Sequence, residues 1–162
     1  MWRPLLAVLL GIHVLFGGAE ILQGQQNDST EYDARALRIE SHGGDWTLVR
    51  GRDGEVLGKL GVFRREVDLP AVVAHSENAV REARIYKANQ KAGSWAAFAG
   101  LAGWGIGLGV GRMDGLDRAA SNSAYAAALG GLFLMAYGGQ RLNKAYTALA
   151  KSIWWYNRDL AR

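Results

Sequence analysis

Hydrophobic and polar positions follow different rhythms in successive stretches of the chain. Residues 5–16 are a nearly unbroken apolar run behind Arg3, closed by Gly17, Gly18 and Ala19. This is the order of a secretory signal peptide over residues 1–19, with small side chains before Glu20, and the run is short for a spanning helix. An uncleaved anchor reaching Leu22 is the competing reading. Residues 20–34 read as a linker, polar and without period from Gln23 to Thr30.

From residue 35 to 67 the period falls to two. Ala36 to Glu40 alternates, Trp46 to Arg50 is rich in strand formers, and Val56 to Leu60 returns as a third run. Asp53-Gly54 suits a tight turn, because that turn needs a positive φ. The pattern predicts a three-stranded meander whose apolar face (Leu37, Ile39, Trp46, Leu48, Leu57) needs a cover. Residues 68–91 offer one. Asp68 can cap a helix, Pro70 fits its first turn, and Leu69, Val72, Ser76, Ala79, Ala83 and Tyr86 share a stripe.

Residues 94–111 and 119–139 carry no charge, and the turn 112–118 between them holds Arg112, Asp114, Asp117 and Arg118. Each stretch has the length a bilayer needs, so residues 94–139 predict a transmembrane helical hairpin. Ala96, Gly100, Gly103, Gly107 and Gly111 form a ridge of small residues, Ala120, Ala124 and Ala128 form another, and Ala127 with Gly131 a third; such ridges let helices pack closely in lipid. Residues 103–111 also alternate glycine with larger side chains, a strand-like period. Two segments cannot close a barrel, so helix is preferred. A buried hairpin without a membrane is the second rival. Trp95, Tyr125 and Tyr137, placed like interfacial aromatics, favour the bilayer. The lysines and arginines outside the hairpin outnumber those in its turn, which conflicts with an exported N-terminus.

Residues 140–162 predict an amphipathic helix. Leu142, Tyr146, Leu149, Ile153, Tyr156 and Leu160 make its apolar stripe. Arg141, Lys144, Lys151 and Arg158, with Trp154 and Trp155 near the end, suit a helix lying on anionic lipid. Packing against residues 69–86 is the alternative.

Composition narrows the chemistry. The chain has 162 residues, 22 glycines, no cysteine and a net charge of +4. Disulfides, cysteine-based zinc sites and iron–sulfur clusters are excluded. His13, His42 and His75 are scattered, and no zinc-protease, nucleophile-elbow or phosphate-loop motif occurs. His75 with Glu77 and Glu82 is a weak catalytic candidate at most, and the basic stripe of an exported tail does not suggest nucleic acid.

The order of parts over residues 69–158 resembles uncharacterised bacterial envelope proteins. The shared features are a short β-rich stretch, a helix carrying Asn78-Ala79, a glycine-rich hairpin, and an end containing Leu142, Lys144, Ala145 and Tyr156-Asn157. The spacing to Tyr156-Asn157 is longer here than in that pattern. The resemblance implies a location and no activity.

Together these features lead to the expectation of a mostly α membrane protein of the bacterial cell envelope, with the inner membrane favoured and the outer possible. The expected role is structural, through the lipid bilayer and a homo-oligomer or envelope partner, without catalytic residues, cofactor, metal or nucleic acid. A glycine-zipper pore is the alternative, and a hydrolase-like enzyme a remote one.

Overall fold

The computed structural model describes residues 30–42, 45–61, 67–113 and 117–162. The signal-like segment and most of the linker lie outside the described residues, as do positions 114–116 of the charged turn. A short helix α1 (Thr30–Arg35) leads into strands β1 (Leu37–His42), β2 (Asp45–Arg50) and β3 (Glu55–Leu60). A single-turn helix α2 (Leu69–Val72) precedes two long helices, α3 (Glu77–Val110) and α4 (Arg118–Leu160).

The strands form an antiparallel sheet in the order β1-β2-β3, with Ile39 opposite Leu48 and Leu48 opposite Gly58. The turn from β2 to β3 is broader than an Asp-Gly pair alone. Gly51 (φ 68°) and Gly54 (φ 73°) bracket it in the left-handed region that other residues avoid. The register shifts between Leu48 and Val49, and both side chains are buried. The extra residue lies on β3, where Leu57 stands without a partner between Val56 and Gly58, while β2 stays in unbroken register with β1.

The helix over residues 68–91 starts later than its stripe suggests. Asp68 makes no side-chain cap, and α2 ends after one turn. Ser76 caps α3 instead: its Oγ accepts from the Ala79 amide at 3.3 Å. From there α3 runs without interruption into the glycine-rich stretch. On the other side of the turn, Asp117 caps α4 by accepting from the Ala120 amide at 2.7 Å, and α4 continues to Leu160. What patterns as four helical segments is two helices of about 50 and 65 Å.

The membrane-protein fold expected above is therefore corrected. Among the described residues, no helix is long and apolar enough to cross a membrane. Length is present, but hydropathy is diluted. Of residues 94–111, six are glycine and four are alanine, which add little to insertion. The transmembrane reading of residues 94–139 is withdrawn, and the hairpin stands as a pair of helices.

The core sits at one end of this pair. Leu37 and Leu48 of the sheet, Leu69 and Val73, Ala79, Ala83 and Tyr86 of α3, and Ala145, Leu149, Ile153 and Tyr156 of α4 form one buried cluster. Trp46 lies over Tyr146 with ring centres 5.0 Å apart. The sheet and α2 thus cover the base of the hairpin, while the remainder projects as an arm with only its own two helices in contact.

Candidate functional site

A seam with a step of seven residues joins the two helices. Gly93 faces Gly138, Gly100 faces Gly131, and Gly107 faces Ala124 and Ala128. At the base, the Ser152 hydroxyl donates to the Ala79 carbonyl at 2.9 Å. Each step of seven down α3 therefore meets a step of seven up α4, and Tyr86 and Ala145 lie at the intervening level. This is the heptad period of an antiparallel coiled coil, with the smallest side chains at the contact. Methyl groups would not fit there. One on Gly100 would sit 2.6 Å from the Gly131 oxygen, and one on Gly107 would sit 2.5 Å from the Ala124 oxygen.

Of the small residues singled out in the sequence, Gly100, Gly107, Ala124 and Ala128 are buried in this seam. Gly103 lies beside it, with the Ala127 oxygen 3.5 Å from where a Cβ would stand. Ala96 is half-buried, and Gly111 ends α3. Gly131, singled out with Ala127, also lies in the seam, whereas Gly93 and Gly138 escape the sequence ridges. Gly105, Gly109 and Gly130 face outward with nothing within 4 Å.

The outside of the arm is apolar. Trp95, Phe98, Leu101, Ile106, Leu129 and Phe133 are 55–77% exposed. Near the tip, the Ser123 hydroxyl donates to the Ala119 carbonyl of its own helix at 2.9 Å.

The basic residues of the C-terminal segment divide into two groups. Arg141 is held: Nε donates to the Tyr137 hydroxyl at 2.8 Å and Nη1 to Asn89 Oδ1 at 3.1 Å. Arg158 is stacked, its guanidinium carbon 3.8 Å from the Trp155 ring centre and 5.1 Å from that of Trp154, which is itself about half exposed. Lys144 and Lys151 are exposed and line an open groove of about 350 Å³ between α3 and α4.

Three groups capable of acid–base chemistry, Asp159, His75 and Tyr156, lie together at the base. The Ser76 hydroxyl donates to Asp159 at 2.6 Å, and this bond, helped by Arg158 and Arg162, holds that carboxyl below its ordinary range against the opposing effect of burial. The His75 ring lies edge-on to Tyr156, centres 4.2 Å apart, and burial raises the pKa of that phenol. No group of three or more metal-ligating side chains occurs among the described residues.

The geometry defines a small sheet-capped base carrying a close-packed helical arm. No family model, curated protein or solved structure matches the chain.

Proposed function

We propose that the chain is a non-enzymatic structural component of the bacterial cell envelope whose arm assembles against the arm of a second copy. The observation that carries this reading is the uncharged apolar exterior of the arm. Trp95, Phe98, Leu101, Ile106, Leu129 and Phe133 are joined there by Tyr125, Leu132, Leu134 and Tyr137. At roughly 150–250 Å² for each large ring, and less for the leucines, the exposed fractions amount to on the order of 1,000 Å². Each partner in a stable interface contributes about 800 Å², so a dimer contact would draw on most of this surface.

A partner for this surface must itself be free of charge along roughly 25 Å, or it would bury unpaired ions at a cost of several kcal/mol. The arm of a second copy meets that condition, and a two-fold contact uses the same patch twice. The signal-like residues 1–19 support the envelope location. The few polar residues of the arm (Ser121, Asn122 and Ser123) lie near the tip, which argues against a water-filled path along it.

Sedimentation of the full chain tests the assembly. The wild type is expected to sediment as a dimer or larger, and L129E/F133E as a monomer with unchanged helical circular dichroism. A monomeric wild type, or a double variant that keeps the wild-type mass, overturns the reading. So does a wild type that binds lipid vesicles or detergent as single copies.

A further inference from the structure

We infer that the groove between α3 and α4 at the base of the arm binds a phosphate-bearing anion. On the α4 side it is lined by Asn143, Lys144, Thr147 and Lys151, with Ala148 among them. Ala148, 3% exposed, forms part of its floor. Lys144 and Lys151 stand two turns apart, about 10.5 Å along the axis, with Thr147 between them. Their four-carbon stems are long and flexible enough for both ammonium groups to converge on one anion. Neither lysine makes an ion pair with any described residue, whereas Arg141 and Arg158 are engaged.

The α3 side adds selectivity. The Asn89 carboxamide donates to the Ile85 carbonyl and accepts from Arg141, which ties a third cation beside this end of the groove. Glu82 also lines it and repels any anion that enters. Phosphate suits this balance. It carries one negative charge as a diester and between one and two as a free ion at neutral pH, and it has oxygens able to accept from both lysines at once. Chloride offers one charge and no directed oxygens. The same phosphate could belong to a free small molecule or to a lipid headgroup.

The test uses the full chain in two arms. In the first, inorganic phosphate is titrated calorimetrically against chloride of matched ionic strength. In the second, flotation compares phosphatidylglycerol with phosphatidylcholine vesicles. K144Q/K151Q is expected to weaken binding roughly tenfold or more, as loss of two charge-assisted contacts implies. E82Q is expected to tighten it. R81Q/R84Q, which removes two exposed charges of the same α3 helix without touching the groove, is expected to change little. Saturable binding of inorganic phosphate identifies a free-phosphate site. Binding confined to phosphatidylglycerol vesicles, with the same variant pattern, identifies a headgroup. Absence of binding in both arms, or equal losses in K144Q/K151Q and R81Q/R84Q, overturns the site.

Discussion

Asn157 binds both backbone polar groups of Leu37, 120 positions earlier in the chain. Its Oδ1 accepts from the Leu37 amide at 2.8 Å, and its Nδ2 donates to the Leu37 carbonyl at 2.8 Å. The carboxamide thus pairs with the first residue of an edge strand as a neighbouring strand would. Leu37 is 2% exposed, so its peptide groups have little water to turn to. One side chain near the end of α4 in this way fastens the sheet to the hairpin.

Replacing Asn157 with alanine should therefore destabilise the fold by about 2–3 kcal/mol, as two buried groups lose their partners. Urea denaturation should show a lower midpoint with an unchanged slope. Asn157→Asp keeps the acceptor for the amide but sets a carboxylate against the carbonyl, so it should also lose stability. A loss under about 0.5 kcal/mol in Asn157→Ala would mean that side-chain packing alone docks the sheet.

Glycines of the arm should respond to alanine in opposite directions. Gly100→Ala forces a methyl into the Gly131 and Met135 backbone and should cost about 1–3 kcal/mol. Gly105→Ala and Gly109→Ala meet nothing within 4 Å and should gain up to about 1 kcal/mol each from helix propensity. Thermal denaturation of the three variants decides the matter. Equal effects would place the seam on another face.

Acid should weaken the clasp between Ser76 and Asp159. A carboxyl whose folded-state pKa is depressed stabilises the fold fully above its unfolded value of about 3.9 and loses that contribution as pH falls through the lower folded value. Ser76→Ala removes the first cause of the depression together with the cap of α3, and should cost about 1–3 kcal/mol near pH 6. The gap to the wild type should narrow below pH 4 without closing, because the cap does not titrate. A gap independent of pH would mean that the carboxylate adds nothing.

The parts of this fold that are local in the chain are the parts legible in its sequence. Alternation exposes the strands of residues 37–60, and the charged residues 112–118 reveal the break between two helices. Continuity of α3 is hidden because its composition changes near Ser94 from amphipathic to apolar. The backbone hydrogen bonds that define a helix do not depend on that change. Gly100 and Gly107 are legible as members of a small-residue ridge, but its steps of three and four also draw in Gly103 and Gly111, which lie beside or beyond the contact, and pass over Gly93. The partners of Ser76 and Asn157 lie 83 and 120 residues away, beyond any periodic pattern. Hydropathy misleads in a different way: a charge-free stretch of spanning length can still be too rich in glycine to be a span.

The seven-residue step of the seam makes the arm a ruler with discrete graduations. Adding or deleting residues in one helix alone would slide every glycine out of register with its partner. Removing seven from each, between Gly93 and Gly107 on one side and between Ala124 and Gly138 on the other, restores the match. The tip then moves about 10.5 Å closer to the base. The distance over which such a molecule reaches can therefore change only in paired units, without any alteration to the sheet, the Asn157 clamp or the basic groove.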